Sequence, residues 1–186
     1  MEEEQAIARL KQGDLNGLEA LVKQNQALAV HTAFLIVAER ALAEDIVQSA
    51  FLKVAARIEQ FDASRPFRPW FLRMVVNESI KAARRRQRTP SLDAPPSKAI
   101  LAWLTDPAPG PHERVETDEL RKDVWNALRQ LSAQQRAVIV QRHFLEMDEA
   151  EMVRELQRPP STIKWWLHTA RERLKILLRP EAGRKE

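Results

Sequence analysis

The stretch from Leu131 to Leu178 constrains the fold more than any other part of this chain, because its apolar residues recur at helical spacing around a short turn. In its last part the apolar residues follow in steps of four, three, four and three: Ile163, Leu167, Ala170, Leu174 and Leu177. That spacing places them on one face of a helix. A shorter helix is predicted before it, at 147–156. The stretch therefore predicts a helix-turn-helix, whose second helix enters the DNA major groove.

Composition extends the helical prediction to the whole chain. The 186 residues include only four glycines and no tyrosine, and good helix formers such as Ala, Leu, Arg and Glu are abundant. We find no alternating pattern typical of strands, so we predict an all-α fold. The formal net charge is +4 and the pI is near 9.7, but phosphate binding depends on local basic patches more than on this total. The absence of cysteine excludes disulfides, thiolate metal ligands and thiol catalysis.

Prolines divide the chain into two predicted domains. Between residues 89 and 111 the prolines rule out a helix of any length, and they are Pro90, Pro95, Pro96, Pro107, Pro109 and Pro111. We therefore predict helical domains at 1–88 and 112–180, joined by an extended Pro-rich linker at 89–111. The apolar run 100–104 inside the linker needs a partner, which is one of the domains or another protein.

The beginning of the chain and its hydropathy predict the compartment. The first residues, Met1 to Glu4, are acidic and lack the apolar core of a signal peptide. No apolar run approaches the roughly 20 residues of a membrane span. We therefore predict a cytoplasmic protein without membrane insertion.

Periodicity and capping signals predict the individual helices. In the first domain we expect helices at 2–11, 15–24, 27–39, 41–58 and 67–86, with Asp14 as an N-cap. In the fourth of these the core seam is predicted to comprise Ile46, Ala50, Val54 and Ile58, widened by Val47, Phe51 and Leu52. In the second domain a helix at 112–130 should bury Val115, Leu120, Val124, Leu128 and Leu131. Capping boxes at Ser132/Gln135 and Asp148/Glu151 should begin the next two helices.

Several polar residues allow more than one interpretation from the sequence. Glu44 and Asp45 suit the dipole of a helix N-terminus, or they belong to a surface that binds a partner. The basic run 81–88 is either a solvated helix end or a phosphate-binding patch. His31 has no second metal ligand at a useful spacing, which favours a structural histidine. We predict no metal site and no cofactor.

With these motifs in place, the chain resembles bacterial RNA polymerase sigma factors of the extracytoplasmic-function (ECF, group IV) type. The run 43–52 is similar to the region 2 helix that docks on the polymerase clamp, and Phe61-Asp62 with 65–73 and Asn77 is similar to the reader of the −10 element. Residues 128–142, then Glu151 and Leu156, and finally 162–171 are similar to region 4. The resemblance covers nearly the whole chain.

The resemblance implies a promoter-specificity subunit that is not an enzyme. Its partners would be core RNA polymerase, through the clamp of the largest subunits, promoter DNA including the single-stranded −10 region, and an anti-sigma factor. The implied polymerase-binding residues are Glu44, Asp45, Gln48, Phe51 and Leu52. The implied −10 residues are Phe61, Asp62, Arg65, Arg68, Trp70, Arg73, Asn77, Arg84, Arg85, Arg86 and Arg88. The implied −35 residues are Arg136, Arg142, Ser161, Thr162, Lys164, Trp165, His168 and Arg171.

Some of these residues keep a structural alternative. Trp70 suits the core as well as DNA, and Arg136 and Arg142 could instead form surface ion pairs with a glutamate. The turn 157–160, Gln-Arg-Pro-Pro, replaces the family's common glycine, although Pro160 suits a first helical turn. Trp165 faces the polar side of the last helix, where it could contact DNA, the linker or a protein. It cannot make the bidentate base contacts of Arg or Asn.

Two other classes of protein fit part of the sequence. A helix-turn-helix transcriptional regulator would use residues 1–88 to sense or dimerise and would bind its operator as a homodimer. A protein-interaction module that has lost DNA binding would explain Trp165-Trp166. An enzyme is the least favoured class, because no Ser/His/Asp set, phosphate loop or metal cluster is visible.

Overall fold

The structure, a computed structural model, describes residues 1–86 and 113–178. All of its regular elements in these ranges are helical, which confirms the all-α prediction. The chain divides into two compact units, Met1–Arg88 and Thr89–Glu186. The predicted linker at 89–111 lies outside the described residues.

Within residues 1–86, the first unit has four α-helices and one short 3₁₀ helix. They are α1 (Glu3–Lys11), α2 (Leu15–Val37), α3 (Arg40–Arg57), the 3₁₀ helix (Ile58–Gln60) and α4 (Phe67–Arg86). The central helix is α2, which packs against α1, α3 and α4. Asp14 caps it as predicted, with its side chain accepting a hydrogen bond from Asn16 N at 2.9 Å.

The prediction of two helices at 15–24 and 27–39 was wrong, because α2 is continuous through this region. The polar run Gln24-Asn25-Gln26 suggested a break. However, Asn25 is buried, and its side-chain amide donates to Leu21 O, one turn earlier, at 3.0 Å. This hydrogen bond partly satisfies the polar side chain inside the bundle, so the helix continues. It ends at Val37, and the next residue, Ala38, adopts the left-handed conformation at φ 63°.

A glycine allows α1 and α2 to approach closely. A Cβ atom at Gly17 would lie 2.3 Å from Ala6 O and 2.8 Å from Leu10 N, both backbone atoms of α1. Because backbone atoms cannot move aside as a flexible side chain can, any larger residue would separate the two helices.

The second unit contains α5 (Glu113–Arg129), α6 (Ala133–His143), α7 (Glu149–Leu156) and α8 (Pro160–Leu177). Leu128, Leu131, Ile139 and Ala170 form a buried cluster to which α5, α6 and α8 contribute. Both predicted capping boxes are present, at Ser132/Gln135 and at Asp148/Glu151. The turn between α7 and α8 has no glycine. Gln157 occupies its left-handed position (φ 50°), and Pro160 begins α8.

Two predictions about buried residues were wrong. Leu52 is 70% exposed, since it lies opposite the buried seam of α3 rather than beside it. In α5, Leu120 is 62% exposed. Trp125 is buried instead. The predicted apolar line did not include Trp125, because this residue directly follows Val124. Val115 lies outside the residues whose side chains are described.

Phe51 and Leu52 are neighbours with opposite environments, and they provide a matched test of the first unit's core. Phe51→Ala should lower the free energy of unfolding by about 3–5 kcal/mol, because it leaves a cavity against Phe71. Leu52→Ala should change it by less than about 0.5 kcal/mol. Urea unfolding of the full chain, followed by far-UV circular dichroism, measures both. An equal loss in the two variants would contradict the assignment.

Candidate nucleic-acid and polymerase interface

One face of α3 carries most of the residues predicted to bind polymerase. Glu44, Gln48 and Leu52 follow in steps of four, and Asp45 lies beside them. All four side chains are exposed, and Glu44 accepts a hydrogen bond from Arg40 Nε at 2.8 Å. Together they form an acidic surface with one exposed leucine, which we call the α3 face.

Phe51 does not belong to the α3 face. It is 6% exposed, and its ring stacks on that of Phe71 with 4.4 Å between centroids. Its position is one helical turn after Val47 and one before Val54, both buried. We therefore assign Phe51 to the core and not to direct contact with polymerase.

The loop between Phe61 and Pro66 is fixed by its first residue. Phe61 is 3% exposed, and its ring lies 4.8 Å from Trp70 and 5.8 Å from Phe67 between centroids. Lys11 Nζ donates a hydrogen bond to Phe61 O at 2.8 Å. Phe61 is therefore an anchor of the loop and cannot stack on a base without leaving the core. Half-buried Trp70 packs against the same ring, which favours its structural alternative.

Asp62 is the exposed acceptor of this loop. Its Oδ1 accepts hydrogen bonds from the Ser64 hydroxyl at 2.7 Å and from Ser64 N at 3.0 Å. These two bonds, in that order, are the main causes that hold the pKa of Asp62 below its ordinary value. Arg65 Nε lies 3.3 Å from Asp62 Oδ2. The loop therefore presents an ionised carboxylate and a guanidinium side by side to solvent.

The polar residues of α4 lie on more than one face of the helix. Trp70, Arg73, Asn77 and Arg84 follow in steps of three, four and seven, so they share one stripe about 21 Å long. Arg68 lies away from this stripe, where its Nε donates to Asn25 Oδ1 at 3.3 Å. Arg85 is exposed near the end of the helix. The side chain of Arg86 and the whole of Arg88 lie outside the described residues.

Asn25 is a candidate site residue that sequence reasoning missed. It is 1% exposed, and it joins α2 to Arg68 through its side-chain oxygen. Its position was visible in the sequence, since Leu21, Asn25 and Ala29 follow in steps of four and the flanking two are apolar. A polar residue within such a line indicates a buried hydrogen bond.

In the second unit, Arg136 and Arg142 have different roles. Arg136 is 7% exposed, and its Nη1 donates to Arg129 O near the end of α5 at 3.2 Å. Burial, and then the charge of Arg129, lower the pKa of Arg136 to about 10. This burial favours a structural role for Arg136 over a phosphate contact or a surface ion pair. Arg142 is exposed, and its Nη1 donates to Met147 O at 3.0 Å.

The outward face of α8 carries the other residues predicted for the −35 element. Ser161, Lys164, Trp165, His168 and Arg171 are exposed, and Thr162 is half-buried. The surroundings are positive: burial, followed by the charges of Arg171 and Arg142, lowers the pKa of His143 at the end of α6. Lys164 Nζ lies 3.9 Å from Glu149 Oε2, a long and exposed contact that leaves the ammonium accessible.

Each unit matches a known protein family. Residues 21–89 match the model of sigma-70 region 2, and residues 121–174 match that of sigma-70 region 4. The chain is 27% identical over 177 residues to the ECF RNA polymerase sigma factor SigW of Bacillus subtilis, covering 93% of this chain and 95% of the relative. It is 28% identical over 170 residues to the ECF sigma factor SigL of Mycobacterium tuberculosis, covering 87% and 88% respectively.

Two solved structures share the fold. One is CnrH in complex with the cytosolic domain of CnrY, with a TM-score of 0.62, 20% identity, and coverage of 95% of this chain and 96% of that one. The other is the sigma factor RpoE of Bartonella quintana in complex with the anti-sigma factor NepR. Its TM-score is 0.65 at 21% identity, with coverage of 88% and 97%. At these identities the likeness establishes the fold alone.

Two helical units in the order region 2 and region 4 define a sigma factor of the sigma-70 class. With full-length ECF relatives, the chain belongs to the extracytoplasmic-function sigma factors. It directs core RNA polymerase to promoters for the initiation of transcription. The homodimeric regulator is not favoured.

In residues 1–86 and 113–178, no helix is long and apolar enough to cross a membrane.

The Asp62–Ser64 contact gives a testable titration. Because the folded-state pKa of Asp62 lies below its ordinary value of 3.8, the contact stabilises the loop above that pH and is lost as pH falls below it. Ser64→Ala removes the hydroxyl donor, so the carboxyl titration of Asp62 should move up toward 3.8. Carbon-detected NMR of the side-chain carboxyl measures the midpoint. An unchanged midpoint in Ser64→Ala would contradict the assignment.

Proposed function

We propose that the α3 face is the surface through which this sigma factor binds the clamp of core polymerase. The supporting observation is that Glu44, Asp45, Gln48 and Leu52 are exposed on one side of a helix whose other side is in the core. The carboxylates would meet basic groups of the clamp, which favours rapid and correctly oriented association. Leu52 would add the apolar contact that a protein interface needs at its centre.

We propose that the loop 61–66 and α4 bind the −10 element as single-stranded DNA. Asp62 would accept hydrogen bonds from the amino group of an exposed adenine or cytosine. Arg65 and the stripe of Arg73, Asn77 and Arg84 would follow the backbone of the strand. Arg68, held by Asn25, would contact the strand from the neighbouring face, and Arg85, Arg86 and Arg88 would bind upstream phosphates. Phe61 and Trp70 would support the loop from beneath.

We propose that α8 reads the −35 element in the major groove. Its first two turns present Ser161, Thr162, Lys164, Trp165 and His168, and the N-terminal residues of a recognition helix are those that reach base edges. Lys164, Arg171 and Arg142 would bind the flanking phosphates. We propose functional domains at 1–88 and 112–180, with residues 89–111 as the linker between them.

We propose that the chain is a non-catalytic subunit whose activity is regulated by another protein. The chain would have no catalytic activity of its own, because core polymerase performs the synthesis, and it would act in the cytoplasm with that enzyme. We propose regulation by an anti-sigma factor. The support is that the structurally similar RpoE of Bartonella quintana was solved in complex with one.

The α3 face is tested by run-off transcription with purified core polymerase and a library of promoter fragments. The wild-type chain should give specific start sites, and the double variant Glu44→Ala/Asp45→Ala should lose them, because core binding fails. Glu19→Ala is the matched control, since Glu19 is an exposed carboxylate on α2 that pairs with Lys23 outside the α3 face. Start sites that persist in the double variant and are unchanged from wild type would contradict the assignment.

A further inference from the structure

Trp165 lies at the centre of the outward face of α8. Ser161, Trp165, His168 and Glu172 follow in steps of four, three and four, and this stripe is opposite the buried residues Ile163, Leu167 and Ala170. The Trp165 side chain is 61% exposed. A fully outward tryptophan in the second turn of a recognition helix requires an explanation, because its exposure costs solvation free energy without contributing to the core.

We propose that Trp165 is a specificity residue that selects thymine in the −35 element by apolar contact with its 5-methyl group. This inference rests on the proposed function of α8 as the −35 reader. Among the four bases, only thymine presents a methyl group in the major groove. An indole has one N–H donor and no acceptor, so it cannot reproduce the paired hydrogen bonds by which arginine selects guanine or asparagine selects adenine.

The surroundings of Trp165 favour DNA over a protein as its partner. On the outward face the ring is flanked by Ser161, Lys164 and His168, while the half-buried Trp166 lies beside it towards the core and Glu172 lies two turns further along the stripe. Protein docking sites usually need a contiguous apolar patch. A single ring among hydroxyl, ammonium and imidazole groups instead matches a groove floor that carries polar base edges and an isolated methyl group.

The position of Trp165 is also fixed with respect to the helix beneath it. Thr169 Oγ1 donates to Trp165 O at 2.8 Å and accepts from Gln135 Nε2 at 3.2 Å. Gln135 in turn completes the capping box at the start of α6. The second turn of α8 is therefore connected to α6 by hydrogen bonds, so the ring should enter the groove in a defined register.

The experiment uses holoenzyme, reconstituted from core polymerase and the full chain, and duplex promoters with a randomised −35 region. Wild-type holoenzyme should enrich thymine at one or two adjacent positions, and Trp165→Ala should lose that enrichment while keeping the preferences at other positions. At the selected position, replacing thymine by deoxyuridine removes only the methyl group. This replacement should weaken wild-type binding about fourfold, the factor that corresponds to one buried methyl group. It should have no effect on Trp165→Ala.

Two further variants separate this proposal from the function on which it rests. Lys164→Gln should weaken binding to all sequences equally and lower its salt dependence, because it removes a phosphate contact. Ile176→Ala is the matched surface control, since Ile176 is 70% exposed three turns further along α8 and should leave binding unchanged. Far-UV circular dichroism confirms that each variant is folded.

Three results would overturn the proposal, and they differ in what they imply for the −35 function of α8. If deoxyuridine has no effect on wild type, or if Trp165→Ala keeps the thymine preference while Lys164→Gln still weakens binding, Trp165 is not the specificity residue. If Trp165→Ala weakens assembly with core polymerase but changes no base preference, the ring binds protein. If neither Lys164→Gln nor Trp165→Ala affects binding to duplexes, α8 does not read the −35 element at all.

Discussion

An aromatic cluster joins the last turns of α3, the loop that follows and the start of α4, and both proposed binding surfaces of the first unit depend on it. Phe71 stacks on Phe51 at 4.4 Å and on Phe67 at 5.7 Å, and Phe67 in turn contacts Phe61. Burial of each of these four rings contributes about 1.5–3 kcal/mol. Because Phe51 points inward, its neighbour Leu52 and the acidic residues of α3 point outward. Because Phe61 is held in the cluster, Asp62 begins the exposed loop at a fixed place.

The second unit obtains the same positioning from caps rather than from aromatic rings. The two capping boxes fix where α6 and α7 begin, and Gln157 and Pro160 fix the turn before α8. A left-handed residue other than glycine costs about 1 kcal/mol. Buried Ile163 and Leu167 hold α8 on the other helices and offset this cost. The buried residues of α8 therefore determine which of its residues face outward.

The periodicity of the sequence correctly predicted the fold class, most of the helices and the outward face of α8. It failed where a buried polar side chain forms a hydrogen bond within its own helix, as Asn25 does in α2. A polar run inside an apolar pattern predicts a break in the helix, and here the helix continues. Periodicity correctly predicted Phe51 in the buried seam of α3, whereas the resemblance to sigma factors assigned Phe51, Phe61 and Arg136 to binding. The burial of Phe61 and Arg136 depends on contacts between elements that spacing alone does not reveal. The proposed assignment of surface residues to partners rests on family membership and exposure together.

We expect the chain to act as a single copy that delivers two binding units to core polymerase. Sedimentation velocity of the purified chain, alone and mixed with core polymerase, measures this stoichiometry. The expected result is a monomer of 21.5 kDa that shifts into a one-to-one complex when core polymerase is added. A stable homodimer that binds duplex DNA and does not associate with core polymerase would contradict it.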